Sequence, residues 1–187
     1  MKKILLIAVL GLASVAGFAQ QKFAHVNSQE LITLMPEADK AREVMEASSN
    51  EAQETYQSMV DEYQSKFSQY QQKGSTWTQT IRESKEKELT EISQRIQEFE
   101  QSIQVELQQQ NQQLMAPIYE KANNTIQEVA KKGGYIYVFD VSSMIYFDPA
   151  QSIDITPECR KILGIPEGRT LETLQKELEA KAAAQAQ

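Results

Sequence analysis

YQSMVDEYQSKFSQYQQKGSTWTQTIRESKEKELTEISQRIQEF, residues 56–99, decides the fold. Its apolar residues recur three and four apart on either side of Gly74. Before it stand Tyr56, Met59, Tyr63, Phe67 and Tyr70; after it come Trp77, Ile81, Leu89, Ile92, Ile96 and Phe99. Such spacing places one apolar stripe along each of two helices. The break between them is Lys73-Gly74-Ser75-Thr76, a turn. Two stripes joined by a tight turn cover each other when the second helix runs back along the first, which specifies an antiparallel hairpin.

Outward from the tip the same pattern continues. Between Glu37 and Lys132 there is a single Gly, Gly74, and a single Pro, Pro117, in a stretch rich in Glu, Gln, Lys, Ala and Leu. That is the composition of long exposed helices. Residues 37–132 are therefore the hairpin arm, with its tip near 74. The second stripe repeats at about 3.7 residues, above the 3.5 of a left-handed coil, so this arm is expected to run nearly straight. Pro117 removes one helical hydrogen bond and predicts a bend near Gln113, either static or a hinge.

The flanks change character. Lys22–Val26 reads as a strand, Ser28 as the cap of a brief helix to Met35, and Pro36 as the first turn of the arm. Gly133-Gly134 stops the second arm helix. Tyr135–Asp140 and Met144–Phe147, dense in aromatic and β-branched residues, read as two paired strands. Ser152–Ile155 is a further short strand candidate, and Thr156-Pro157-Glu158, with Thr156 as cap, Pro157 at the first position and Glu158 in the first turn, starts a helix that Gly164 ends. Residues 20–36 and 133–165 thus form a β-rich body, and 166–187 a helical extension. There Thr170 precedes Leu171, Leu174 and Leu178, and the Ala/Gln-rich end from Lys181 is expected to fray. A sheet this small exposes its edges and is marginal alone. Phe23, Val26, Ile136, Val138, Ile145 and Phe147 are the residues expected to serve oligomerisation. The fold class is mainly α with a small β body.

The N-terminus carries an export signal: Lys2 and Lys3, an apolar run from Ile4 to Ala16, then Gly17-Phe18-Ala19 before Gln20. Residues 1–19 are expected to be removed, with cleavage near Ala19. The run is short of the roughly 20 residues that span a bilayer, and nothing after it resembles a membrane span. The whole chain has 19 Lys+Arg against 26 Asp+Glu. An acidic balance excludes a phosphate-binding footprint, so no nucleic-acid partner is expected. Cys159 is the only thiol, either a small buried side chain or a site of intermolecular pairing.

Chemistry finds few candidates. The single His, His25, lies in a predicted strand beside no recognisable partner, and no phosphate loop, zinc spacing or nucleophile elbow occurs. No catalytic, cofactor-binding or metal-binding residue is assigned. The aromatic cluster about the tip is the remaining feature. Tyr56, Met59, Tyr63, Phe67, Tyr70 and Trp77 either fill the seam between the helices or present a greasy, adaptable surface to another chain.

The order of export signal, strand, hairpin, strand-rich block and helix resembles the Skp/OmpH family of periplasmic chaperones. Lys22-Phe23-Ala24-His25-Val26-Asn27, Tyr135–Asp140, Met144–Phe147 and Ser152-Ile153-Asp154-Ile155-Thr156 carry the likeness, from about Lys22 to Gly164. The resemblance implies a homotrimer whose pooled strands form a β-barrel from which the arms project. It also implies a periplasmic location and capture of unfolded outer-membrane proteins without ATP. Known members have cationic arms, whereas 37–132 here holds 11 basic and 17 acidic residues. That difference shifts weight from charge-based capture, and from lipopolysaccharide binding, to the aromatic and Met positions. The alternative function is a structural or tethering coiled coil of the envelope with one dedicated partner.

Overall fold

The computed structural model describes residues 22–185; the expected export signal, 1–19, lies outside them. The described residues divide into two units, one of 22–36 with 118–185 and one of 37–117.

In the first unit, β1 (Phe23–Val26), β2 (Tyr137–Asp140) and β3 (Ile153–Asp154) make one sheet in the order β2-β1-β3. Both pairings are parallel, with Phe23 opposite Tyr137, His25 opposite Phe139, and Ala24 opposite Ile153. Alternation along β1 buries Ala24 and Val26 on one face and turns Phe23 and His25 to the other.

Helix α1 (Ser28–Leu34) follows at once and buries Leu31, Ile32 and Leu34. Its cap is Asn27, whose side chain accepts from the Glu30 N–H at 3.0 Å. Ser28, the expected cap, instead donates its hydroxyl to Asp140. Likewise Thr156 is the first residue of α4 (Thr156–Ile162) rather than its cap. Asp154 accepts the Thr156 N–H at 2.8 Å, and the Thr156 hydroxyl accepts the Asn27 N–H at 3.0 Å.

α5 (Leu171–Gln185) is capped by Thr170, which accepts from the Thr173 N–H at 3.1 Å. It runs helically through Gln185, so the fraying expected from Lys181 is corrected. Ala, Gln and Lys are strong helix formers, and they outweigh the weak apolar pattern. Helix α1 packs against both α4 and α5. Arg160 ties the three together: its guanidinium pairs with Glu30 and donates to the Pro166 carbonyl at 3.2 Å and to the Arg169 carbonyl. Cys159, Leu163, Ile165 and Leu174 are buried with them.

The strand pair expected from Tyr135–Asp140 and Met144–Phe147 does not form. β2 pairs with β1, Val141–Ser143 makes a 3-10 turn, and Met144–Phe147 belongs to no strand. A tight hairpin needs positive φ in its loop. Val141-Ser142-Ser143 offers no Gly or Asn, and among the described residues only Gly134, Gly164 and Gly168 have positive φ. The Asp140 carboxylate also holds the Ser142 N–H at 3.1 Å, turning the chain off the sheet.

The second unit is helical. α2 (Pro36–Lys73) and α3 (Gln79–Gly133) are joined through a 3-10 turn at Gly74–Thr76. Within the unit, residues 37–73 and 79–117 rise about 55 and 58 Å at 1.5 Å per residue. Cross-helix bonds fix the register: Ser48 with Gln110, Tyr56 with Glu100, Glu62 with Arg95, Lys66 with Glu88 and Tyr70 with Glu86. The climb from Ser48 to Tyr70 on α2, 22 residues, is matched by the descent from Gln110 to Glu86 on α3, 24 residues, so the two run antiparallel. Helix α3 continues through Pro117.

Two outcomes test this packing. Arg160→Ala should cost the sheet-bearing unit about 2 kcal/mol, from lost charge-assisted hydrogen bonds. Trypsin should then cut after Arg169 and Lys176 sooner than in wild type, with far-ultraviolet ellipticity little changed; an unaltered cleavage pattern would contradict the clamp. Burial pushes the Cys159 thiol up to about 11, the nearby Glu158 and Asp154 carboxylates adding to the effect. Ellman's reagent at mildly alkaline pH should leave Cys159 untouched in the native protein and titrate it fully in urea.

Candidate functional site: an aromatic sheet face and an open hairpin seam

Period-two geometry lines one face of the sheet with rings. Phe23 stacks on Tyr137 at 6.2 Å between centroids and lies 6.3 Å from Phe139, and Tyr137 and Phe139 are 6.1 Å apart. Most of this face stays open: Tyr137 is 59% exposed and Phe139 40%. Ile136 and Ile153 are exposed as well, and Ile145 and Tyr146 stand almost fully in solvent. A cluster of exposed rings such as Phe23, Tyr137 and Phe139 marks an interaction site. The outer edges of β2 and β3 carry no further strand among the described residues.

Beside the rings is a cavity of about 260 Å³, lined by Phe23, His25, Phe139, Met144, Phe147 and Ser152 among others. His25 Nδ1 lies 2.6 Å from Ser152 Oγ, and its ring packs on Phe147 at 4.7 Å. The nearby Asp148 carboxylate accepts the Ala150 N–H at 2.9 Å. At the far end of β2, burial works against the charged form of Asp140, but donors from Ser28 and Ser142 hold its carboxyl below the ordinary value.

Of the residues expected to serve oligomerisation, Phe23, Ile136, Val138, Ile145 and Phe147 are partly or wholly exposed, whereas Val26 is buried in this chain's own core. Sequence reasoning missed Tyr137 and Phe139. Their signal was the alternation in Tyr135–Asp140, whose polarity only the pairing with β1 fixes.

In the helical unit, the six tip residues lie along the seam. Tyr63 and Phe67 stack at 5.9 Å, and Tyr70 meets Trp77 edge-on at 6.0 Å across the turn. Phe67 is 41% exposed; Tyr56, Met59, Tyr63, Tyr70 and Trp77 are half-buried. Hydrogen bonds to Glu100 and Glu86 raise the Tyr56 and Tyr70 hydroxyls above their ordinary range. Lys66, then Lys85, hold the Glu88 carboxyl down to about 2. Among the described residues of this unit, Ile92 is the one large apolar side chain fully buried. The seam is therefore held by polar rungs more than by a sealed core.

No helix among the described residues is long and apolar enough to cross a membrane, and no cluster of His, Cys, Asp and Glu among them is placed to hold a metal.

Known proteins share this arrangement. The chain is 29% identical over 167 residues to the chaperone protein Skp of Yersinia enterocolitica, covering 86% of this chain and 98% of that protein. Its fold matches the crystal structure of an OmpH-like protein from Caulobacter crescentus CB15 with a TM-score of 0.69. The match has 17% identity and covers 79% of this chain and 86% of that one. Residues 22–163 match the family described as outer membrane protein (OmpH-like), and the chain belongs to that family, which includes Skp.

Proposed function

We propose that this protein is a periplasmic holdase chaperone that works without ATP, encloses unfolded outer-membrane proteins and keeps them from aggregating. The observation that carries the reading is the open aromatic face of the sheet, Phe23, Tyr137 and Phe139, beside two unpaired strand edges. A three-stranded sheet in this state is an incomplete body. Pooling the strands of three copies into a closed barrel removes the edges and covers the rings, and cyclic symmetry closes the set. Membership of the OmpH-like family, and the chaperone name of the Yersinia relative, support the same assembly and role.

The mechanism is physical. Arms that carry half-buried aromatic and Met side chains make many weak contacts with a sticky chain. Enclosure then keeps that chain from meeting another. Tyr56, Met59, Tyr63, Phe67, Tyr70 and Trp77 are the proposed contact residues. Export to the periplasm follows from the N-terminal signal read in residues 1–19. There, binding must run on contact energy alone.

Light scattering on the mature protein should give three times the chain mass, and one added urea-unfolded outer-membrane barrel per trimer should stay soluble with no nucleotide present. A monomer or dimer indifferent to unfolded chains would favour a structural coiled coil with one dedicated partner. Tyr137→Ser with Phe139→Ser should lower the mass toward the monomer while leaving the helical ellipticity of the hairpin. Retention of the trimer would remove the sheet face from the interface.

A further inference from the structure

The charges of the hairpin are segregated along its length. Near the tip, residues 62–95 carry six Lys and Arg and five Glu, close to balance. Residues 43–61 and 96–117, which face each other lower in the same unit, carry eight carboxylates and no Lys or Arg. Within this belt the seam stands open. There the uncharged side chains of α2 are the small Ser48, Ala52 and Thr55, while α3 brings Phe99, Ile103 and Leu107. Small side chains opposite large ones fail to close the gap. A groove of about 650 Å³ opens on one side of the seam and another of about 540 Å³ on the other. Both expose the same row, Ala52, Phe99, Ile103 and Leu107.

Three chemistries converge on the larger groove. The apolar row forms its floor, and Glu51 and Glu106 stand on its rims. Gln109, Gln110 and Gln113 line it as well. Each glutamine amide is both donor and acceptor, so it can satisfy a peptide group whatever side chain that residue bears. From Phe99 to Gln113 the helix rises about 21 Å. That is room for about six residues of extended chain at roughly 3.3 Å each.

Resting on the holdase reading above, we propose that this mid-arm groove binds unfolded client segments in which Lys or Arg alternates with apolar residues. The apolar side chains meet the floor, the backbone meets the glutamines, and the cations meet the carboxylate rims. Charge selects this occupant. An acidic segment is repelled by a belt without a cation, and the arm of a second copy brings the same belt and is repelled too.

The test uses the mature full-length chain and a short fluorescent peptide alternating Lys and Leu, with a twin carrying Glu in place of Lys. Anisotropy should give at least tenfold tighter binding of the Lys peptide, weakened by added salt. Glu51→Gln and Glu106→Gln together should weaken the Lys peptide about tenfold, at about two- to fivefold for each exposed carboxylate. Molar mass and ellipticity should not change. Equal affinity for the twins, or an unaffected double variant, overturns the proposal. So does a photo-cross-linker at Gln109 that captures a second copy of this chain in place of the peptide. If wild-type protein keeps an unfolded barrel soluble yet does not discriminate the twins, the groove proposal fails alone. If it discriminates them but leaves the barrel to aggregate, the groove stands and the holdase reading fails.

Discussion

β1 is the constraint on which the sheet-bearing unit depends. Its four residues pair with β2 on one side, and Ala24 and His25 pair with β3 on the other, both strands coming after the entire hairpin in sequence. Closing so long a loop costs entropy that rises only slowly with length. The gain from so short a ladder is small as well. Backbone and side-chain groups just beyond β1 supply the rest. Asn27 donates to Thr156, Ser28 to Asp140, and Glu30 receives Arg160. These three closely spaced anchors join β1 and α1 to β2 and α4. The last of them also reaches the carbonyls of Pro166 and Arg169, so the residues after the family match are held by the same knot. Parallel pairing follows, because both late strands enter beside β1 in the direction that these anchors allow.

The helical unit is built on a different balance. A hairpin closed by Ile92 and a series of cross-helix hydrogen bonds keeps its register without a thick core. Such bonds hold direction well and contribute modest energy where they face water. The arrangement leaves apolar side chains half in contact with each other and half with solvent. For the proposed holdase role that would be an asset, since each partial surface can be covered by a client without first breaking a packed core. A fully sealed seam would be more stable and would offer nothing to bind.

The long-range pattern of the chain was legible and its short-range exceptions were not. Stripes three and four apart around Gly74 and the Gly133-Gly134 stop are local signals that need no tertiary information, and the structure has helices there. The two reading errors at helix starts arose where a hydroxyl had a better offer elsewhere: Ser28 from Asp140, and Thr156 from the Asn27 N–H. Met144–Phe147 has the composition of a strand, but composition does not reveal that its neighbouring loop lacks a residue able to take positive φ. The open aromatic face was invisible for a related reason. Alternation in Tyr135–Asp140 is plain, yet which half faces out is set by Ala24 and Val26 on a strand far away in sequence. Nor could Leu174 be separated from Leu171 and Leu178, since only the contact of α5 with α1 decides which of the three is buried.

The acidic arm then takes on a meaning beyond solubility. An apolar row left open on a long helix pair is an aggregation hazard in any protein that forms oligomers at high local concentration. Uniform charge around that row answers the hazard at short range. Screening confines the repulsion to about 8 Å at physiological ionic strength, so it does not act on distant arms and rises only as two grooves come into contact. A client segment without carboxylates meets no such barrier. In the proposed assembly the same eight carboxylates would keep the arms from closing on one another and leave the row accessible to other chains. Self-avoidance and client choice would then be one electrostatic property, and reversing the arm charge would change which clients it admits without giving up the self-avoidance.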